Sequence, residues 1–168
     1  KLLTTSMRQE TERCKLCFRE AEAGNQVALI CSGDAGIYGL ASLMYELGAK
    51  HPETELLVIP GITAASSGAA VLGAPLNHDF CVISLSDLMT PWEKIEKRLR
   101  AAAVGDFAMA IYNPSSHRRK DYLQRACDIL LETIEGKRPC GYVENIGREG
   151  TRAVTCTLRE LRDREVNM

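Results

Sequence analysis

The run Val27-Ala28-Leu29-Ile30-Cys31 is continuously apolar and empties into Ser32-Gly33-Asp34-Ala35-Gly36-Ile37-Tyr38-Gly39, a loop with three glycines, one carboxylate and one aromatic. An uninterrupted apolar run of this length predicts a parallel strand covered on both faces, because a strand with one wet face would alternate. Glycines directly after it allow backbone to approach a ligand closely. In an open α/β sheet, small molecules bind in the crevice beyond the carboxyl ends of the strands, so Ser32 to Ile37 forms a candidate binding loop. The same glycines also suit a plain strand-to-helix turn.

The alternation continues along the chain. Ser6 with Gln9 reads as a capping box, and Met7, Cys14, Cys17, Phe18 and Ala21 recur at helical spacing up to Gly24. Ile37 to Leu47 reads as a packed helix ended by Gly48, Leu56 to Ile59 as a strand, and Pro60-Gly61 as the turn into a small-residue helix from Thr63 to Leu72. Gly73-Ala74-Pro75 closes this half, placing a domain boundary near Leu76 to Asp79 and dividing the chain into 1–77 and 78–168. The second half offers strands at Phe80 to Leu85, Phe107 to Tyr112 and Gly141 to Ile146. Its helices are expected from Thr90-Pro91-Trp92-Glu93 to about Ala103, from Asp121 to Glu132, and from the capping box Thr157-Leu158-Arg159-Glu160. Strands alternating with helices predict an α/β fold with parallel pairing and right-handed crossovers.

An apolar fraction of 45% in 168 residues supports a real core. The net charge of −1 leaves no electrostatic footprint for nucleic acid, and no apolar run approaches the ~20 residues that cross a bilayer. No nucleic-acid or membrane partner is therefore expected. Seven cysteines, an odd number scattered through predicted helices and strands, fit reduced thiols and a cytoplasmic setting. Cys14-Lys15-Leu16-Cys17 stands without a second pair or nearby histidines, so packing is expected of it and no metal centre is assigned.

Four ordered motifs carry a resemblance. Val27 to Ala41, the turn Pro60-Gly61-Ile62-Thr63-Ala64, the run His78-Asp79-Phe80-Cys81-Val82-Ile83-Ser84-Leu85-Ser86-Asp87-Leu88, and Tyr112-Asn113-Pro114 resemble the precorrin-3B C17-methyltransferase branch of the tetrapyrrole methylase family, over roughly Met7 to Gly147. The resemblance implies a two-domain tetrapyrrole methylase-like α/β fold with a cleft between its halves. It also implies S-adenosylmethionine as cofactor, precorrin-3B or its cobalt form as tetrapyrrole substrate, methyl transfer to C17 with ring contraction, and a homodimer. Family members open with a strand and a glycine-rich turn before the point where Lys1 stands, and close with a further strand, so the chain is expected to be incomplete at both ends.

By the same resemblance Ser32, Gly33, Asp34, Ile37, Thr63 and Ala64 line the cofactor loop, and Tyr112, Asn113, Asn145 and Gly147 hold the adenine end. Asp34 is equally suited to capping the following helix. A macrocycle fringed with carboxylates calls for cations, which makes Arg118 and Arg119 candidate substrate clamps, although a solvated charge run explains them as well. Ring contraction calls for proton transfer, with Asp87 and His78 as candidate acid or base beside ordinary loop roles. Two other readings remain: the same fold acting on another substrate, and a non-catalytic interaction module. The charge argues against RNA, and cofactor affinity separates a module from an enzyme.

Overall fold

The computed structural model describes residues 2–6, 9–116 and 119–166, which form two compact units, 1–64 and 65–168. The division falls earlier than the Leu76 to Asp79 segment, so nearly all of the small-residue helix belongs to the second unit.

The first unit is built on α1 (Glu10–Glu22) and α2 (Ala41–Gly48). Cys14 and Phe18, four residues apart and so on one face of α1, are its buried side chains. Phe18 stacks on His51 with ring centroids 4.3 Å apart, and His51 Nδ1 hydrogen-bonds the Glu22 carboxylate at 2.6 Å. Gly48 ends α2 where space is short: a Cβ there would lie 2.9 Å from Leu56 Cδ1. The Cys14–Cys17 pair consists of free thiols on this packed face, both pushed up by burial, which favours the neutral packing form. The Ser6 capping box does not form. Gln9 is the N-cap of α1 and makes no side-chain cap bond, while Met7 lies outside the described residues. Similarly α2 starts at Ala41 rather than Ile37, because residues 37–40 form bends.

Neither Val27 to Cys31 nor Leu56 to Ile59 is a strand among the described residues. Ile30 and Leu57 are 85% and 83% exposed. A continuous apolar run reports that a segment suits burial, but a ladder also needs a neighbour's N–H and C=O groups, and no described segment offers them.

The second unit holds α3 (Ala64–Val71, shared at its first residue with the first unit), β1 (Phe80–Ser84), α4 (Trp92–Val104), β2 (Ala108–Tyr112), α5 (Tyr122–Leu131), β3 (Pro139–Glu144), β4 (Arg152–Thr157) and α6 (Leu158–Arg162). Strand β1 pairs in parallel with β2, from Phe80 opposite Ala108 to Ser84 opposite Tyr112. Parallel neighbours cannot be joined by a tight turn, so α4 makes the crossover and buries Ile95 and Leu99 completely. With Ile83, Leu85, Leu123, Ala126, Cys127 and Leu130 these form one core. The α4 start differs from expectation: Pro91, at φ −55° and ψ 145°, is itself the N-cap, and no side chain caps the helix. The α6 box forms as read, with Glu160 N donating to Thr157 Oγ1 at 3.2 Å and Thr157 N donating to the Glu160 carboxylate at 2.8 Å.

Strands β3 and β4 pair antiparallel, an exception to the expected parallel pattern. The short connection of residues 145–151 is too brief for a crossover and permits only a hairpin. Small residues of α3 let it pack closely here: a Cβ at Gly68 would stand 3.6 Å from Ile146 Cδ1, and one at Gly141 would press Leu72 at 2.8 Å. Among the described residues no helix is long and apolar enough to cross a membrane.

Leu99, fully buried between α4 and the sheet, and Val104, 77% exposed at the helix end, give a direct test of this core. Leu99→Ala is expected to destabilise the protein by ~2–5 kcal/mol, and Val104→Ala by less than ~0.5 kcal/mol, read from urea-unfolding midpoints. Equal shifts would show that the core lies elsewhere.

Candidate cofactor and substrate site

In the first unit, Asp34 ties two turns together. Its Oδ1 accepts hydrogen bonds from Gly36 N at 2.8 Å and Ile37 N at 3.2 Å, and its Oδ2 accepts one from Gly61 N at 2.9 Å. These amides, Gly61 first and Gly36 next, hold the Asp34 carboxyl below the usual carboxylate range. Helix α2 begins too far along the chain for Asp34 to cap it, so the carboxylate joins loop to loop. The glycines explain how the turns come so close. A Cβ on Gly61 would run into the Gly33 carbonyl oxygen, whereas one on Gly33 would meet only ordinary contacts, the nearest being Ile62 O at 3.7 Å. Gly33 is required instead by its φ of +73°, which β-branched residues resist. Ser32 and the partly exposed Ile37 flank the bonded turn, and Thr63 and Ala64 follow Gly61 on the other side. The arrangement supplies exposed backbone edges, a hydroxyl and an apolar side chain around one fixed carboxylate. That donor set suits a small polar ligand with an apolar part, and Ser32, Gly33, Ile37, Thr63 and Ala64, the residues expected to line the cofactor loop, all stand on these two turns.

In the second unit, the parallel register brings the ends of β1 and β2 side by side, and polar side chains collect there. Asn113 adopts φ +54°, a conformation Asn tolerates, and its Nδ2 donates to Ser84 Oγ at 2.9 Å. The Tyr112 hydroxyl accepts from Ala65 N at 2.7 Å in the first turn of α3. Beyond Ser84, Asp87 accepts from the Tyr122 hydroxyl at 2.6 Å and pairs with Arg119 Nη1 at 3.5 Å. Arg119 also donates to Ser86 Oγ at 2.7 Å and Ser116 Oγ at 3.0 Å. The Tyr122 hydrogen bond is the main reason that the Asp87 carboxyl is held below its ordinary range, with Arg119 adding to it.

The predicted residues therefore fall into separate groups. Asp87 and Arg119 meet, but Arg119 is only 12% exposed and its donors serve Ser86, Ser116 and Asp87 rather than open solvent. Arg118 lies outside the described residues. His78 precedes the amino end of β1 while Asp87 follows its carboxyl end, so the strand, at roughly 3.3 Å per residue, keeps the two apart. Asn145 and Gly147 stand in the β3–β4 connection at φ +53° and +71°, where the Asn145 carbonyl accepts from Arg148 N at 2.9 Å and Thr151 Oγ1 at 2.8 Å. Tyr122, Ser116 and Arg125 carry no sequence signal of a site beyond the three-residue spacing of Tyr122 and Arg125 at the start of one helix, and Trp92 enters the sequence analysis only at a helix start.

Asp34→Ala is expected to release the two turns and weaken S-adenosylhomocysteine binding by on the order of tenfold, the scale of a lost charge-assisted hydrogen bond. Gly61→Ala should act in the same direction by pushing the turns apart. Calorimetric titration checks both, and an unchanged affinity in both variants would remove these turns from the cofactor site. The depressed Asp34 carboxyl also sets a pH dependence. Its contribution to loop order is complete above the ordinary Asp value of about 4 and is lost as pH falls through its lower folded value.

Comparison with known proteins establishes the family. The family profile described as Tetrapyrrole (Corrin/Porphyrin) Methylases matches residues 3–162. A Salmonella typhimurium protein named "Probable cobalt-factor III C(17)-methyltransferase" is 46% identical over 168 residues, covering 99% of this chain and 70% of its own length. The "Precorrin-3B C(17)-methyltransferase" of a Sinorhizobium species is 38% identical over 157 residues, 91% of this chain and 62% of its own length. The chain thus spans only part of these relatives, and 32% of the length of another. The crystal structure of the methyltransferase CobJ superposes with a TM-score of 0.90 at 40% identity, covering 98% of this chain and 72% of that one. The expected α/β fold is therefore the fold found, and the chain belongs to the tetrapyrrole (corrin/porphyrin) methylases.

Proposed function

We propose that the protein carrying this chain transfers a methyl group from S-adenosylmethionine to C17 of precorrin-3B or its cobalt form, with ring contraction, in cobalamin biosynthesis. The observation that carries the reading is the pair of glycine turns locked by Asp34, in a chain several of whose relatives are named C(17)-methyltransferases. When bound, the cofactor supplies a methyl group already activated on a sulfonium, which leaves the protein mainly to orient and shield. The residues present suit that task. Asp34 fixes the turns, Gly33 and Gly61 keep backbone accessible, and Ile37 offers apolar contact. At the other cluster, Asn113 and Tyr112 brace the strand ends, and Asp87 supplies a fixed negative charge.

A tetrapyrrole partner, homodimeric assembly and a cytoplasmic setting belong to the same proposal. The seven cysteines, all free thiols, support a reducing compartment. No nucleic-acid or membrane partner and no metal centre is included.

Incubating the full chain with methyl-labelled S-adenosylmethionine and precorrin-3B, with and without cobalt, is expected to place the label on the macrocycle. Label retained on the cofactor with both substrates, despite cofactor binding, would favour the same fold acting on another substrate. Absence of cofactor binding would favour the interaction module.

A further inference from the structure

The polar groups around Asp87 do more than satisfy a loop. The Tyr122 ring is locked, since Trp92 packs against it with centroids 4.6 Å apart at 56°, and the Arg125 guanidinium lies 4.0 Å over Trp92 and 5.1 Å over Tyr122. A locked ring gives its hydroxyl one direction, and it points at Asp87 Oδ2 at 2.6 Å. From the other side Arg119 reaches Asp87 Oδ1 and, through Ser86 and Ser116, binds the segments that follow β1 and β2. The loop gains little from apolar burial, because Leu88 and Met89, directly after Asp87, are 80% and 95% exposed. The Asp87 carboxylate holds it to Tyr122 and Arg119, beside the bond from Ser86 N to Ser84 Oγ at 3.1 Å.

We infer that Tyr122 is a positioning residue for methyl transfer: its hydroxyl, together with Arg119, holds Asp87 as an aimed carboxylate at the carboxyl ends of β1 and β2. The inference rests on the methyltransferase reading above. In such a transfer a bond forms between the acceptor carbon and the methyl carbon, the carbon–sulfur bond breaks with its electron pair going to sulfur, and positive charge passes to the macrocycle. A fixed carboxylate at the acceptor opposes that charge, and a preorganised one does so without reorganising. Leu88 and Met89 present an apolar edge beside it, suited to a flat macrocycle.

Among the described residues the charged and titratable groups around the pair are few. Tyr122 and Arg119 face Asp87, while Arg125 and Asp121 act on Tyr122. The shared bond lowers the Asp87 carboxyl and raises the Tyr122 phenol, so near neutral pH the proton stays on Tyr122 and Asp87 is ionised. Removing the hydroxyl must raise the Asp87 value.

The test is Tyr122→Phe in the full chain, with Arg119→Lys as a second variant that keeps the charge but loses the fork. Carboxyl carbon NMR, with the Asp87 signal assigned by Asp87→Asn, follows its titration without any substrate. The pH profile of kcat/KM for methyl transfer to precorrin-3B follows its use. The titration midpoint of Asp87 is expected to rise in Tyr122→Phe, and the acid limb of the profile to rise by the same shift, with S-adenosylhomocysteine affinity unchanged. A midpoint that stays in place overturns the inference, and so does a midpoint that rises while the acid limb does not. Absence of methyl transfer by the parent protein would sink the functional reading and Asp87's part in it, while the substrate-free midpoint would still decide whether Tyr122 holds the carboxylate.

Discussion

Parallel pairing of β1 with β2 is the constraint on which the second unit depends. It forbids a tight turn between the strands, so the chain must cross over through α4, whose apolar face supplies Ile95 and Leu99 to the core. It also places both carboxyl ends on the same side of the sheet. Ser84 lies opposite Tyr112, Asn113 reaches back to Ser84, and the two following segments become close enough for Arg119 to bridge Ser116 and Ser86. An antiparallel pair would have sent these groups to opposite ends.

The first unit solves a related problem by other means. Its two glycine turns are joined by a carboxylate accepting three backbone amides rather than by a ladder. Carboxylate acceptors make strong hydrogen bonds to N–H donors, and the lowered Asp34 value records that preference for the charged form. Asp87 repeats the device with side chains in place of amides: a phenol and a guanidinium hold it, and its carboxyl is lowered in turn. Both carboxylates are thus held in place by groups of the chain itself.

Legibility from the sequence differed by element. Helices with an apolar stripe were plain: α4, α5 and the capping box of α6 lie where periodicity and the Thr157–Glu160 spacing place them. Local cap chemistry misled at Ser6 and Thr90, because a capping residue competes with the tertiary contacts that decide where the first turn closes. The hairpin strand β4 is not legible, since its alternation covers only Val154 to Thr157 and is broken by the apolar neighbours Ala153 and Val154. Gly33 and Asp34 were read as site residues from their place after an apolar run, but the bond to Gly61 joins positions that no local pattern connects.

Legible in the sequence alone were the helices that carry the core, the strands β1 to β3, the glycines of the two turns and the family. Those follow from periodicity, turn chemistry and motif order, which are properties of neighbouring residues. Only the tertiary structure decided what each polar side chain meets. It turned Arg119 from a surface cation into a half-buried brace, separated His78 from Asp87 along one strand, and gave Asp87 a partner in Tyr122. The reason is physical: hydrogen bonds of a few ångströms between residues some thirty positions apart depend on strand register and helix placement, and no local spacing encodes either.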